Sequence, residues 1–511
     1  MLAVLLSYLL MQPAGAQTPP YTPLVTTTLP AGRGNLNERL LAFNIKADAP
    51  GPVLTSITLT LHGTTNPDDL EAVKVSFCGE SERYHHDRAI LFDKQKPGSG
   101  EIRLHGRQIL DQGDNWIWIT TDLKDDALEG NYIGAKVISY SLGGAESIPV
   151  HLASSPRVIL LTSTLLFSAG DMGSLSYRIP AIVNAMDGSL VTATDRRWTG
   201  STDLPNHIDV MIRRSTDLGK TWSEPLMIAG KDTETGFGDP ALVVNQLNED
   251  IVCLFAAGPG LFQSTADQPI RIFQSVSKDH GVNWNEPREI TTQIYGHGCT
   301  NPITRNWQAA FISSGAATQL KSGRLMAVMA VREQSDNRIS NYVMYSDDNA
   351  KTWEVSTHCA DPAGDEAKLV ELDDGRVLMS IRHRGARWFN ISNDQGITWG
   401  IPFEKPELLD PFCNGDLVRY SSVNQGAYRS RLLHSIPFAD SRRNVSVLLS
   451  YDEGATWPVS RSIYDGHSAY SALCSANDGS IGIYFEVGEY DIYQMYFMRF
   501  SLNWLTGGTD F

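Results

Sequence analysis

The sequence predicts an all-β protein in which a six-bladed β-propeller follows a smaller β-sandwich. An eight-residue signature repeats five times beyond residue 160, a short β-rich run precedes each copy, and no long amphipathic helix pattern interrupts the series. Successive copies begin about 45 to 70 residues apart, which is enough for one four-stranded unit of a repeat architecture. These observations together favour a radial arrangement of blades.

The repeated signature has the form Ser-x-Asp-x-Gly-x-Thr-Trp and is typical of a hairpin turn. Its Asp can accept backbone hydrogen bonds, its Gly permits a positive φ, its Thr caps the turn and its Trp packs against the sheet. Asn283 replaces the Thr in the second copy, and Ala350 replaces the Gly in the third. We interpret all copies as structural rather than catalytic. They occupy residues 215–222, 277–284, 346–353, 392–399 and 450–457.

The number of blades follows from the strands that enter these turns. Five runs of β-forming residues end at the five signatures, and a sixth run at residues 493–500 continues without a complete signature. Turns of the type Asp-Gly or Ser-Gly also recur upstream of these units. Five complete units and one degenerate unit predict six blades within residues 157–511.

Residues 18–156 lack the signature and have a different pattern of apolar and polar residues. Runs such as residues 53–61 and 135–140 alternate as a half-buried sheet requires. We therefore expect a separate β-sandwich in this region. Trp116 and Trp118 share one face of a strand, where they either bind carbohydrate as exposed aromatics or pack in the core.

Composition limits the classes of partner and cofactor. The 511 residues are 42% hydrophobic, enough for two cores, and carry a formal net charge of -16. This charge argues against nucleic acid or an anionic membrane as a partner, because both need a basic footprint. The six cysteines are scattered without a Cys-x-x-Cys spacing, so we expect free thiols, no metal site and no cofactor.

The N-terminal segment has the pattern of an export signal. An apolar run at residues 2–11 precedes Pro13-Ala-Gly-Ala16, a small-residue cleavage pattern, although the basic residues usual at the start are missing. The run is about half the ~20 residues that a membrane-spanning helix needs. We expect a signal peptide over residues 1–17, no membrane insertion, and a periplasmic or secreted protein.

The segment Tyr177-Arg-Ile-Pro180 opens the repeat region. This motif ahead of several signatures resembles the bacterial-type exo-sialidase (neuraminidase) group of Asp-box six-bladed propellers, and the resemblance extends from about residue 160 to the C-terminus. It implies a retaining exo-α-sialidase that removes terminal sialic acids from glycoproteins, glycolipids and oligosaccharides. Sialylated glycans are then the expected partners, and we expect a monomer.

The resemblance also implies three arginines that hold the sialic acid carboxylate. Arginine suits this role because it is permanently charged and can bind both carboxylate oxygens. Arg178 matches the first position, and Arg382, at the end of residues 366–382, matches the second. Arg442 is preferred for the third, because the resemblance implies an arginine two residues before the position of Asn444. Arg443 is the alternative, and only one of the two can reach the site, since adjacent strand residues point to opposite faces.

The catalytic residues implied by the resemblance are Tyr470, Glu366 and Asp203. Sialidases use Tyr as the nucleophile, and a phenol with an ordinary pKa near ~10 needs a base beside it. Glu366 matches that base. Asp203 matches the acid that protonates the leaving oxygen; Asp195 and Asp209 compete with it by proximity, but both fall in apparent strands.

Three further residues match positions with supporting roles. Arg197 and Asp239 correspond to positions that contact a sugar hydroxyl in some relatives, and Glu486 resembles the acid that orients the first arginine. For each of the three, an ordinary ion pair is the alternative interpretation. Two other functions stay open: a catalytically inactive sialic-acid-binding propeller, and a trans-sialidase-type transferase or anhydro-product former that uses the same residues.

Overall fold

A computed structural model of the chain describes residues 24–84, 88–144, 146–230, 236–334, 338–488 and 493–511. The predicted signal peptide lies outside these residues and stays a prediction. The chain divides into two compact units: one contains Gly34–Ala127 and Asn131–Arg157, and the other contains Thr28–Arg33, Leu128–Gly130 and Val158–Phe511. No helix in the described ranges is long and apolar enough to cross a membrane.

The N-terminal region is built from short strands and one 3₁₀ turn over Pro67–Asp69. In chain order its strands are β1 (Leu24–Thr26), β2 (Ala31–Gly32), β3 (Glu38–Asn44), β4 (Val53–Thr60), β5 (Leu70–Phe77), β6 (Ile90–Gln95), β7 (Ile102–Ile109), β8 (Trp116–Leu123), β9 (Tyr132–Ile133), β10 (Lys136–Leu142), β11 (Ile148–Ala153) and β12 (Arg157–Leu160).

Two antiparallel sheets form the first unit. One has the order β1-β3-β8-β5-β6 and the other the order β11-β10-β4-β7. The rings of Phe43 and Tyr140, one from each sheet, have centroids 6.2 Å apart. Trp116 and Trp118 on β8 are only 7% and 4% exposed, which supports the interpretation that they pack in the core rather than bind carbohydrate.

The second unit contains the remaining strands. They are β13 (Thr162–Phe167), β14 (Ser176–Asn184), β15 (Leu190–Arg197), β16 (Ile208–Ser215), β17 (Leu226–Ala229), β18 (Phe237–Val244), β19 (Ile251–Ala257), β20 (Arg271–Ser277), β21 (Arg288–Glu289), β22 (Ala309–Ile312), β23 (Gly315–Ala316), β24 (Thr318–Gln319), β25 (Leu325–Arg332), β26 (Ser340–Ser346), β27 (Glu354–Val355), β28 (Ala367–Glu371), β29 (Val377–Ile381), β30 (Arg384–Ser392), β31 (Phe403–Pro411), β32 (Asp416–Ser421), β33 (Arg431–Pro437), β34 (Arg443–Ser450), β35 (Val459–Ser475), β36 (Ile481–Val487) and β37 (Gln494–Phe500).

Helical structure in this unit is brief. The α-helices are α1 (Thr291–Ile294) and α2 (Leu502–Leu505), and 3₁₀ turns cover Asp171–Gly173, Thr304–Asn306 and Val423–Gln425.

These strands form six blades, numbered along the chain. Blade 1 is β14–β17, blade 2 is β18–β21 with β23 paired to β18, blade 3 is β22 and β24–β27, and blade 4 is β28–β31. The long strand β35 pairs through its first half with β34 in blade 5 and through its second half with β36 in blade 6. Strand β13 pairs with β37 and completes blade 6, so the start of the repeat region closes the ring. The predicted fold class, a six-bladed propeller preceded by a smaller sandwich, is confirmed.

The repeated signatures form turns that pack between neighbouring blades. In the first copy, Ser215 Oγ accepts from the backbone N–H of Gly219 at 2.8 Å, and Asp217 Oδ2 accepts from the Thr221 hydroxyl at 2.6 Å. Gly219 has φ +84°, and a Cβ at this position would lie 2.0 Å from an atom of the Phe497 ring in blade 6. The glycine therefore allows the two blades to approach closely.

The third signature, which has Ala350 in place of Gly, is held by different contacts. Ala350 keeps the left-handed conformation with φ +61°. Its carbonyl oxygen accepts from Gln274 Nε2 at 3.1 Å and from Arg288 Nη2 at 3.0 Å, both in blade 2. Trp353 Nε1 donates to Gln274 Oε1 at 2.7 Å, whereas Trp222 in the first signature donates to a carbonyl within its own turn.

Candidate active site

Each blade contributes one polar residue at the same end of the propeller, either from its innermost strand or from the residues beside that strand. Three of these residues lie at irregularities in strand pairing. The pairing register shifts next to them in β14, β18 and β35. Such shifts redirect side chains away from the sheet. In blade order the six residues are Arg178, Asp239, Ser314, Glu366, Asn414 and Tyr470.

A cavity of about 550 Å³ opens at this end, a size typical of small-molecule sites. Seven of the nine residues predicted from the sequence line it: Arg178, Asp203, Asp239, Glu366, Arg382, Arg442 and Tyr470. Apolar side chains, including Leu204, Leu261, Phe262, Phe311 and Ile339, form another part of its wall. The cavity therefore combines a charged floor with an apolar side.

Tyr470 and Glu366 form a buried pair at the centre of the floor. The Tyr470 hydroxyl donates to Glu366 Oε2 at 2.5 Å, and Arg382 Nη1 donates to the Tyr470 oxygen at 2.8 Å. Burial raises the pKa of the Tyr470 hydroxyl well above its usual value, and the Arg382 charge only partly opposes this effect. Tyr470 is therefore a neutral phenol that needs a base to become a nucleophile.

Glu366 has the charge state that a base requires. Burial alone would raise its pKa, but the nearby charges of Arg382 and Lys368 and several hydrogen bonds hold the pKa below its usual value. The carboxylate is thus ionised at neutral pH, with Oε2 directed at the Tyr470 hydroxyl.

Three arginines surround the Tyr470 ring. The guanidinium carbons of Arg178, Arg442 and Arg382 lie 5.2, 5.6 and 5.9 Å from the ring centroid. Because guanidinium groups remain protonated, this part of the cavity carries a permanent positive charge of the kind that suits a carboxylate.

Glu486 fixes the first of these arginines. Its oxygens accept from Arg178 Nε at 3.0 Å and Nη2 at 3.3 Å. The same carboxylate accepts from the backbone N–H groups of Ile179 at 2.9 Å and Tyr470 at 3.0 Å. Glu486 thus contacts Arg178 and is absent from the cavity lining, and its role in orienting this arginine for a substrate stays a prediction.

Arg442 rather than Arg443 faces the cavity. Arg442 Nη2 donates to the Phe412 carbonyl at 3.0 Å. Arg443 is exposed on β34, where its Nη2 donates to the Asp465 carbonyl at 3.4 Å. The structure thus places the preferred residue at the cavity and its alternative outside it.

Asp203 lies at the cavity mouth on the loop between β15 and β16, and its side chain is 71% exposed. Its Oδ1 accepts from Arg197 Nη1 at 2.7 Å and lies 3.9 Å from Arg178 Nη1. The protein atoms around this carboxyl displace part of its water, which would raise its pKa, but the charges of Arg197 and Arg178 lower the pKa below its usual value. The competing Asp195 and Asp209 are buried strand residues outside the cavity lining.

Arg197 and Asp239 have different relations to the cavity. Arg197 is 1% exposed and lies behind Asp203, where its Nη2 also donates to Asp195 Oδ2 at 2.9 Å. Its contact with a substrate hydroxyl stays a prediction. Asp239 lines the cavity with φ +59°, and its backbone N–H donates to Asp195 Oδ1 at 3.0 Å. Burial, with the Asp195 and Asp203 charges, raises the pKa of Asp239 well above its usual value.

Several site residues are not recognisable from the motifs. Phe412 supports two arginines, because its ring lies 4.1 Å from the Arg382 guanidinium carbon and its carbonyl accepts from Arg442. Ser314 and Asn414 contact Glu366 from behind. An alignment of the six inner strands would have located Ser314 and Asn414, since they occupy the position that Glu366 has in blade 4.

The described residues contain no group of three or more His, Cys, Asp or Glu side chains able to hold a metal ion. All six cysteines are free thiols.

Comparison with known proteins assigns the chain to a family. The family model described as a BNR repeat-like domain matches residues 197–483. A sialidase of Micromonospora viridifaciens is 31% identical over 369 residues, which cover 68% of this chain but only 55% of that protein. A sialidase of Bacteroides fragilis (strain YCH46) is 26% identical over 418 residues, which cover 76% of this chain and 74% of that protein.

Solved structures share the fold at lower sequence identity. The Hadza microbial sialidase Hz136 matches with a TM-score of 0.71 and 22% identity, covering 94% of this chain and 99% of that one. A leech intramolecular trans-sialidase matches with a TM-score of 0.61 and 15% identity, covering 94% of this chain and 100% of that one. The relatives and solved structures named above are sialidases, and the chain itself belongs to the BNR repeat-like family.

Proposed function

We propose that this protein is a retaining exo-α-sialidase that hydrolyses terminal sialic acids from glycoproteins, glycolipids and oligosaccharides. The observation that carries the proposal is the 2.5 Å contact between the Tyr470 hydroxyl and Glu366 Oε2 beneath three arginines. A protein that only bound sialic acid would need the arginines but would have no use for a buried phenol paired with an ionised base.

In the proposed first step, Tyr470 Oη gives its proton to Glu366 Oε2 and bonds to the anomeric carbon. The bond between that carbon and the glycosidic oxygen breaks, and Asp203 protonates the departing oxygen. In the second step, water attacks the anomeric carbon and gives a proton to Asp203. The bond to Tyr470 Oη breaks, and Glu366 returns the proton to Tyr470. Two displacements at one carbon retain its configuration.

The ionised state of Asp203 in the free protein is compatible with an acid role. A bound substrate brings its carboxylate to Arg178 and excludes water from the cavity mouth. Partial neutralisation of Arg178 and loss of water both raise the pKa of Asp203, so that it can carry a proton in the complex. Arg197 then orients the Asp203 side chain through the 2.7 Å contact.

A trans-sialidase-type reaction is the second candidate, favoured by the likeness to the leech intramolecular trans-sialidase. In that case the tyrosyl bond is broken by a sugar hydroxyl, from a second glycan or from the sialic acid itself, instead of by water. The residues that form the intermediate are the same in both reactions, and only the acceptor differs.

One incubation tests these possibilities. The protein is mixed with α2,3- and α2,6-sialyllactose, and the products are followed by proton NMR. Hydrolysis with retention releases α-sialic acid first, a transferase yields a new sialoside, and an anhydro product has no free anomeric hydroxyl. Absence of any product with either isomer, combined with measurable binding, would assign the protein to the inactive binding class.

We also propose that the protein acts outside the cytoplasm, on the strength of its N-terminal pattern.

A further inference from the structure

Behind the catalytic pair lies a buried polar group of residues that the proposed mechanism does not use. Lys368, Asn414 and Ser314 are 1%, 2% and 1% exposed. Asn414 Nδ2 donates to Glu366 Oε1 at 3.0 Å, and the Ser314 hydroxyl donates to the same oxygen at 2.9 Å. Lys368 Nζ in turn donates to Asn414 Oδ1 at 2.8 Å.

The two oxygens of Glu366 therefore have separate partners. Oε1 is held from behind by two neutral donors, while Oε2 faces Arg382 and the Tyr470 hydroxyl. A carboxylate whose rear oxygen is fixed in this way cannot turn without breaking two hydrogen bonds. Only Oε2 is then available to receive the proton of Tyr470.

Lys368 determines which end of the Asn414 amide faces Glu366. A lysine ammonium group can only donate, so it requires the amide oxygen and leaves the amide nitrogen directed at Glu366 Oε1. If the amide turned over, its oxygen would lie against a carboxylate oxygen, and its nitrogen would lie against the ammonium group. Both contacts would be repulsive.

The charges around Lys368 support this role. Burial lowers the pKa of Lys368 to about 8, while the Asp416 and Glu366 charges act in the opposite direction. The charges of Arg387 and Arg382 add to the lowering of the Lys368 pKa. Lys368 is thus protonated at neutral pH, and its charge helps to keep Glu366 ionised.

We propose that Lys368 and Asn414 are positioning residues that fix Glu366 as the base for Tyr470. The inference rests on the proposed function. It adds that the base is positioned by a lysine on β28, the strand that Glu366 directly precedes, and by an asparagine two residues before β32, the inner strand of blade 5.

Two variants test the proposal. Lys368→Met removes the charge and the donor while keeping an unbranched side chain. Asn414→Asp keeps the shape but places an acceptor against Glu366 Oε1. Lys278→Met, on the exposed second signature, is the matched control. Each protein is assayed for kcat and KM on an aryl sialoside across pH, for binding of a dehydrated sialic acid inhibitor by calorimetry, and for thermal unfolding.

We expect kcat to fall about 10- to 100-fold in both variants, because the base is less well placed. The acid limb of the kcat/KM profile should move up by about one pH unit, because lost positive or added negative charge raises the pKa of Glu366. Inhibitor affinity should stay within about threefold of wild type, since the arginines are unchanged.

Kinetics that match Lys278→Met in both variants would overturn the positioning role. Parallel loss of inhibitor binding and kcat, with an unmoved acid limb, would also overturn it by assigning the two residues to structure alone. A wild-type protein that binds the inhibitor but releases no product from the aryl sialoside would instead contradict the proposed function, and with it any base for these residues to position.

Discussion

Glu486 Oε1 accepts a hydrogen bond from Arg178 Nε at 3.0 Å, although the two residues are 308 positions apart in the chain. The same carboxylate accepts from the backbone N–H of Tyr470. One buried acid therefore sets the position of both an arginine of the carboxylate site and the proposed nucleophile. Its loss should affect substrate binding and chemistry together.

Glu486→Gln should lower both stability and activity. The change removes the charge that pairs with buried Arg178 and replaces one acceptor oxygen with a donor. We expect a loss of about 3 kcal/mol in the free energy of unfolding, as for other broken buried pairs. The value of kcat/KM should fall at least about 100-fold, with KM raised and kcat lowered. Urea unfolding and steady-state kinetics measure these effects, and unchanged KM would contradict the link to Arg178.

Tyr470→Phe should abolish covalent trapping by a fluorinated sialic acid while the protein stays folded. The ring keeps its contacts with the three arginines, and only the hydroxyl is lost. Intact-protein mass spectrometry should show the adduct in the wild type and none in the variant. An adduct that persists in the variant and maps to another residue would identify a different nucleophile.

Asp203→Ala should depend on the leaving group. A poor leaving group such as lactose needs protonation, whereas a nitrophenolate hardly needs it. We expect kcat/KM to fall by about 100-fold or more for sialyllactose and by about tenfold or less for the nitrophenyl sialoside. Comparable losses on both substrates would argue that Asp203 acts in binding instead.

Exchanging the glycine of the first signature should cost much more stability than exchanging the alanine of the third. Gly219→Ala forces a Cβ against Phe497 at a positive φ and should cost about 2–4 kcal/mol of unfolding free energy. Ala350→Gly relieves a left-handed alanine and should stay within about 1 kcal/mol of wild type. Denaturant titration of both variants compares them, and a mild effect of Gly219→Ala would disprove the close packing of blades 1 and 6.

The signature turns should lose stability in acid. Burial is the largest single influence and raises the pKa of each signature Asp. Hydrogen bonds from Thr or Asn side chains, the signature Ser and backbone N–H groups together outweigh it and hold the pKa below its usual value of 3.8. This stabilisation is complete above the unfolded-state pKa and is lost as pH falls through the folded-state pKa. We expect the free energy of unfolding to decline below about pH 4.

A variant separates this contribution from that of the active-site carboxylates. Asp394→Asn removes one titrating group from the fourth signature, so it should be less stable than wild type at pH 7 and closer to wild type at pH 3. Urea unfolding at both pH values is the measurement. An equal difference at the two values would exclude a titrating role for Asp394.

Much of the fold can be predicted because the signatures act locally. Each turn depends on hydrogen bonds within eight residues, as between Asp217 and Thr221, so the sequence reveals every turn and the number of blades. The closure of the ring by β13 cannot be predicted from such local patterns. Its pairing with β37 joins segments more than three hundred positions apart, as shown by the Ser163–Met498 register.

The sequence alone determined the fold class, because turn geometry is a property of short segments, and its resemblance to a known family implied the set of candidate residues. Only the tertiary structure decided between Arg442 and Arg443 at the cavity and placed Lys368 and Asn414 behind Glu366. Glu366 and Tyr470 are 104 positions apart, and they meet because the inner strands of separate blades converge on one axis. Such convergence depends on the packing of whole blades, which no local pattern encodes.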